Sequence, residues 1–425
     1  MADSNPSRPT YPRGTLFFTV FLDLAGFGMI LPLLPFYAQR YGADALQVGL
    51  LFSVYSLAQA VGAPALGRLS DRFGRRPVLL AAIGGHAASL VLFALAESFG
   101  LLLAARIAAG LFAANFSIAQ AYVADVTAPE NRAQGMGLVG AALGMGFVVG
   151  PGLGGLLSLV GQKAVPLGAA ALALVNLGMV WRLLPESLTT RRRASRWNPI
   201  RGALAIGRQT WWLLVLLFLV IAAFSAMEGT IALFCAAVFG FGVVETSVLL
   251  VAIGIVIVVV QGGLLGRLVA RFGERGLVRS GIVAMAAGLL GMTLASGPTG
   301  SLLGIVPVGL VALGAAATLL AVGNGICNPS LIGLISRLTA AEQQGETLGF
   351  SRSLGAVART IGPLWGGWVF RELGVDWPFY TAGALMLGAL LLALATLPRL
   401  RVPHTAAGST APTARQAPST APETP

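Results

Sequence analysis

Twelve largely apolar stretches dominate this 425-residue chain. Each is close to the roughly 20 residues that a helix needs to cross a hydrocarbon core about 30 Å thick. They run over 14–38, 46–66, 78–96, 100–124, 133–157 and 164–184, then over 211–239, 246–265, 277–297, 301–327, 345–370 and 377–398. Inside lipid no water satisfies backbone N–H and C=O groups, so each stretch must do so internally, as a helix. The short alternating segments of a membrane barrel are absent. With 56% hydrophobic and 10% charged residues, the chain is too apolar for a water-soluble domain of this length. The expected fold is an all-α membrane protein with twelve transmembrane helices.

The formal net charge of +12 invites a nucleic-acid reading, which the placement of the charge excludes. Arg68, Arg72, Arg75 and Arg76 follow the second span, and Arg267, Arg271, Arg275 and Arg279 follow the eighth. Between the sixth and seventh lie Arg191, Arg192, Arg193, Arg196, Arg201 and Arg208. These loops share one side of the bilayer; those opposite hold Arg40, Lys163 and Arg371. Because cytoplasmic loops collect Lys and Arg, both termini and the central loop are expected in the cytoplasm, in a plasma (inner) membrane. The first span acts as the insertion signal, with no removable signal peptide ahead of it. The chain divides into a cytoplasmic N-terminus (1–13), a six-helix bundle (14–184), an Arg-rich linker (185–210), a second bundle (211–400) and a tail (401–425) too rich in Pro, Ala, Thr and Ser to order itself. Cys235 and Cys327 both fall within spans and match no metal-site spacing, so neither a disulfide nor a metal is expected.

The chain repeats itself. "GRLSDRFGRRP" (67–77) and "GRLVARFGERG" (266–276) agree at seven of eleven positions, and each follows the second span of its half. "GPGLGG" (150–155) matches "GPLWGG" (362–367), and "TAPE" (127–130) matches "TAAE" (339–342). Two parallel six-span repeats place a substrate site between the halves, near the membrane midplane.

These residues resemble the major facilitator superfamily over nearly the whole chain up to about residue 400. "GRLSDRFGRRPVLL" (67–80) is similar to its signature loop between the second and third helices, and "LAARIAAG" (103–110) to its fourth-helix arginine motif. "GMGFVVGPGLGG" (144–155), with Gly146, Gly150, Pro151, Gly154 and Gly155, resembles the Gly-Pro motif of drug-for-proton exporters. "DLAGFGMILPLLP" (23–35) and "AYVADVT" (121–127) narrow the resemblance toward tetracycline efflux proteins. It implies a twelve-helix antiporter that expels drugs or other small amphipathic molecules by alternating access, driven by protons and acting as a monomer.

A rocking transporter needs an interface that closes and reopens, so charges suit it better than an apolar seam. Gly67 and Gly74 are read as turn residues and Arg76 as part of the same gate. Asp71 is expected to face the positive N-terminus of the eleventh span, and Arg75 to pair with Asp125 at the end of the fourth. The second copy has Ala270 and Glu274 at the matching places and is expected to latch more weakly. Gly146, Gly150 and Gly154, four apart, form a small-residue stripe, kinked at Pro151 and expected to seat the eighth span.

Asp23 lies well inside the first span and Glu228 inside the seventh, where a carboxyl is paired, protonated or functional. Both are assigned to proton coupling together with Arg106, which is too far from any loop to set topology. Asn115, Gln120, Tyr122 and Arg359 are read as cavity residues, while Arg352 snorkels toward the cytoplasm. His86 reads as a packing residue; the tetracycline exporters resembled here carry an aspartate where this chain has Ser89, which tells against tetracycline itself as substrate. No phosphate-binding GxxxxGK[ST] loop is present, and no cluster of nucleophile, base or metal ligands makes an intramembrane enzyme, so no cofactor is expected. The remaining alternatives are a proton-coupled carrier of organic or phosphorylated anions, motivated by Arg106 and Arg359, and a non-transporting receptor on the same scaffold.

Overall fold

The computed structural model describes residues 13–127, 131–188, 206–297, 301–302, 306–340 and 343–400. The arginines from 191 to 201 and the 401–425 tail lie outside the described residues. The first half comprises α1 (Arg13–Gln39), α2 (Ala45–Phe73), α3 (Arg75–Ala94), α4 (Phe99–Phe112), α5 (Asn115–Val126), α6 (Arg132–Ser158) and α7 (Ala164–Leu183). The second comprises α8 (Arg208–Phe239), α9 (Val243–Val259), α10 (Leu265–Met292), α11 (Val308–Leu338), α12 (Gln344–Leu373) and α13 (Trp377–Thr396). The protein is all-α apart from a two-stranded ribbon, Ser301–Leu302 paired with Val306–Pro307.

Among the described residues ten continuous helical stretches are long and apolar enough to cross a membrane. Twelve spans become ten for two reasons. The eighth and ninth run together through a π-helical turn, Val260–Leu264, and divide only at Gly273, whose φ is +69°. The eleventh, α12, carries Arg352 and Arg359 in its middle and is less apolar than the rest. The tenth span begins at Val308 instead of 301, because residues ahead of it pair as the ribbon. The fourth is two helices, α4 and α5, broken at Ala113 and Ala114.

Each half buries its own core. In the second, Phe234, Met285, Leu320 and Phe379 pack together; in the first, Tyr37, Leu51 and Phe93 fill one end and Leu16, Val78 and Tyr122 the other. The end of the molecule where α1 begins and α13 finishes is called here the terminal side, the opposite end the distal side.

The halves meet along two seams, α2 with α12 and α6 with α9. In the first seam a Cβ on Gly49 would overlap the carbonyl oxygen of Pro363, and one on Gly367 that of Ala45. Ser53 Oγ donates to Thr360 O at 2.5 Å, and at the distal rim Arg371 Nη1 lies 3.2 Å from Asp44 Oδ2. The halves are therefore shut against each other on the distal side.

The stripe Gly146, Gly150 and Gly154 does not seat the eighth span. It faces α1 within the same half, where added Cβ atoms would lie 2.6 Å from Leu24 Cβ, 2.6 Å from Ala25 O and 2.7 Å from Met29 O. The α9 contact lies on another face of α6, at Gly144 beside Val258, Gly152 beside Val251 and Gly155 beside Ser247. Residues four apart share one face of a helix, so a stripe turned inward leaves the neighbouring stripe for the partner half.

Candidate functional site

Between the halves lies a cavity of about 340 Å³. Asp23 of α1, His86 of α3 and Arg106 of α4 line it from the first half, Glu228 of α8 and Arg359 of α12 from the second. Phe27, Tyr55, Phe116 and Phe147 supply aromatic wall.

Close helix packing brings these groups together. A Cβ on Gly110 would overlap the Tyr55 carbonyl, so α4 presses onto α2 and holds the Arg106 guanidinium 4.3 Å from the centre of the Tyr55 ring. That stacking, with an Nε hydrogen bond to Leu51 O at 3.3 Å, partly offsets the cost of burying an arginine that is 4% exposed. The break at Ala113 restarts the fourth span at Asn115, whose Nδ2 donates to Asp23 Oδ1 at 2.5 Å. Asp23 and His86 stand within electrostatic reach of each other, as do Glu228 and Arg359. Neither pair closes to an ion-pair contact among the described residues. Gly229 and Gly362 let α8 and α12 approach closely, which sets Glu228 and Arg359 on one wall.

Two residues read as cavity groups lie elsewhere. Tyr122 is fully buried in the terminal-side core and donates its hydroxyl to Pro185 O at 2.8 Å. Gln120 bridges the halves on the terminal side, accepting from Arg352 Nη2 at 3.0 Å. Arg352 is thus held by the opposite half instead of snorkelling. Asn115 supports the cavity from behind Asp23, and Arg359 lines it.

The arginine-rich stretch forms a second charged centre, and most of it is helix. Helix α2 continues through Gly67, Asp71 and Phe73, and Gly67 makes neither a turn nor a close contact. Gly74 alone breaks it, with φ +109°, and a Cβ there would stand 2.5 Å from Glu186 Oε2. Asp71, expected at the start of α12, is instead paired across the Gly74 break: its Oδ1 is 2.6 Å from Arg75 Nη1 at the start of α3. Arg75 Nε lies 2.9 Å from Asp125 Oδ2, and its Nη1 donates to Ser70 Oγ at 2.7 Å. Arg76 Nη2 donates to Trp181 O.

Glu186, which the sequence reading passed over, crosses from the end of α7 to accept from the backbone N–H groups of Arg75 at 2.8 Å and Arg76 at 3.1 Å. It caps α3 with negative charge where the helix dipole favours it. Nothing in its local sequence marks it, because the helix that it caps lies 110 residues upstream.

The second half repeats this centre with its charges exchanged. By the repeat, Glu274 stands for Arg75 and Arg337 for Asp125, and Arg337 Nε lies 3.3 Å from Glu274 Oε1. Arg275, the counterpart of Arg76, also donates to a backbone carbonyl near the end of its half, Leu400 O at 2.7 Å, as Arg76 does to Trp181 O within the last turn of α7. The Arg337 side chain is 62% exposed against 18% for its counterpart Asp125, and Glu274 12% against 8% for Arg75, so this copy is the more solvated of the two.

The family model for the Major Facilitator Superfamily matches residues 16–321 and 310–421. The class C tetracycline resistance protein of Escherichia coli is 32% identical over 394 residues, 90% of this chain and 94% of its own. Multidrug resistance protein 2 of Bacillus subtilis (strain 168) is 27% identical over 88% of this chain and 92% of its own. Among solved structures, the human organic anion transporter MFSD10 (TETRAN) superposes with a TM-score of 0.67 at 27% identity, covering 90% of this chain and 98% of that one.

Proposed function

Since the chain belongs to the Major Facilitator Superfamily, and is thus a multi-pass membrane transporter and not an enzyme, we propose that it exports drugs or other small amphipathic molecules in exchange for protons. The observation that carries this reading is Asp23: a carboxyl in the cavity between the halves, held by Asn115 and flanked by His86 and Arg106. An acid so placed takes a proton from one side and, when a substrate or a moving cation changes its surroundings, gives it up to the other. Arg106 supplies a charge that favours release, and Glu228 is a second acid facing the substrate. The relatives named for tetracycline and multidrug resistance support export.

In this reading both termini lie in the cytoplasm, the distal side faces outward, and the structure is closed to the outside. The Asp71, Arg75 and Asp125 cluster, with Gly74, Arg76 and Glu186, stiffens the hinge between α2 and α3 on which the terminal side opens.

The test is accumulation of ethidium and of tetracycline in cells expressing the chain, with and without a protonophore. Wild-type cells should accumulate less of at least one probe than empty-vector cells, and the protonophore should remove the difference. Asp23→Asn keeps the shape and the Asn115 contact but cannot titrate, so it should abolish the difference at equal expression. Protonophore-sensitive export by Asp23→Asn would refute its role.

A second reading has a specific observation behind it. Arg106 and Arg359 both face the cavity, and the structural relative MFSD10 is named as an organic anion transporter. Protonophore-sensitive movement of fluorescein with none of ethidium would select the anion carrier.

A further inference from the structure

His86 is the buried ionisable group of the cavity that the proton-exchange reading leaves idle. It is 5% exposed and lines the same cavity as Asp23; the Ala109 carbonyl faces its ring, and no side chain pairs with either ring nitrogen among the described residues. One backbone carbonyl can accept from one ring nitrogen only, which leaves the other nitrogen to the cavity. The backbone fixes its position tightly: a Cβ on the neighbouring Gly85 would overlap the Phe112 ring, so α3 lies hard against α4, and Ser89 Oγ donates to His86 O at 2.6 Å.

The groups facing it from each packed element are few. Helix α1 brings Asp23, α2 brings Tyr55, α4 brings Arg106 with the Ala109 carbonyl, and α5 brings Asn115. The buried face of α7 offers Asn176 and no ionisable side chain, and Asn176 is turned to Thr19 O. Across the cavity stand Glu228 and Arg359. Asp23 is therefore the acid on His86's own half of the cavity. Asn115 occupies its Oδ1 and leaves Oδ2 available, and no direct ion pair joins it to the imidazole. A cavity of about 340 Å³ has room for on the order of ten waters between the walls.

From this arrangement we infer that His86 and Asp23 share one exchangeable proton, His86 passing it to Asp23 through cavity water. The step is balanced: the imidazolium N–H gives its proton to a water, that water gives another to the Asp23 carboxylate, and neutral imidazole faces a neutral carboxyl. The net charge of the pair does not change, so the proton crosses the cavity without creating a new buried charge. Arg106 beside them opposes a state with the pair doubly protonated. The inference rests on the proton-exchange reading and names the partner that the proton-carrying acid uses.

The sequence holds two histidines, His86 and His404, so His404→Gln leaves one imidazole to observe. The purified full-length protein, labelled with 15N-histidine in detergent, is titrated by NMR with and without Asp23→Asn. Protonation of the Asp23 carboxyl is followed in parallel by its infrared C=O band, identified by loss in Asp23→Asn, with and without His86→Gln. A sharing pair gives a His86 midpoint moved by at least about 0.5 pH unit in Asp23→Asn, roughly threefold in proton affinity. It gives an equal movement of the Asp23 midpoint in His86→Gln, because coupling between two sites is reciprocal. Midpoints that do not move overturn the pairing. If His86→Gln elutes as aggregate on gel filtration, the Asp23→Asn arm decides alone. Absence of protonophore-sensitive ethidium or tetracycline export by the wild type would sink the exporter reading, an outcome separate from these titrations.

Discussion

Asp23 and Glu228 face one cavity with different company, and in the proposed exchange that difference would divide their tasks. Asp23 is fixed by Asn115, whereas Glu228 has no hydrogen bond among the described residues and only Arg359 within electrostatic reach. Glu228 is free to meet the positive end of a substrate. A charge-assisted hydrogen bond of this kind contributes about 1.5–3 kcal/mol, or roughly 10–100-fold in affinity. Glu228→Gln should raise the ethidium concentration for half-maximal export by that order and leave neutral substrates little changed; an unaltered ethidium dependence would reduce Glu228 to packing. Asp23, Arg106, Glu228 and Arg359 were legible in the sequence because ionisable groups are costly inside apolar stretches. Tyr122 misled because a polar tip says nothing about where its ring is buried, and His86 was read as a packing residue because a histidine among alanines does not reveal that it lines the cavity with Asp23.

At the scale of elements, α6 shows how glycine spacing sets two neighbours at once. Gly150 leaves no space toward Ala25 and Gly28 of α1, whereas a Cβ on Gly152 would meet Val251 Cγ2 of the partner half at 3.5 Å, ordinary contact. Gly150→Ala pushes against backbone atoms and should cost about 1–3 kcal/mol, seen as a lower melting temperature in detergent. Gly152→Ala should melt with the wild type, and equal losses in both variants would show that the stripes are not separate. The periodicity of the Gly-Pro motif announced a tight helix contact but not its partner, since any helix offers several faces. The spans themselves were legible from length and hydropathy. Their ends were not: α2 runs on past its apolar stretch to Phe73 because charged residues at a membrane surface continue a helix as readily as they leave it.

The whole molecule is two copies of one design with the charges of one ion-pair centre exchanged. Arg75 with Asp125 in the first half becomes Glu274 with Arg337 in the second, and Ala270 stands where Asp71 does. Glu274 was visible in the sequence as the odd member of the repeat. Its partner was not, because Arg337 sits at the far end of another span. If the two centres are equivalent, the first half should accept the charges of the second. Arg75→Glu alone faces Asp71 and Asp125 and should lower both melting temperature and export; adding Asp125→Arg and Asp71→Ala should restore most of both. A triple variant no better than the single one would show that the centres do different work. The distal seam carries a consequence of its own. Where Gly49 and Gly367 meet the opposite half, an added Cβ would run into backbone, which cannot turn aside as a side chain can. In the exporter proposed above, one methyl group at position 49 would act as a doorstop: the distal side would stay ajar, and Gly49→Ala should lose export at equal expression by the gain of a single carbon.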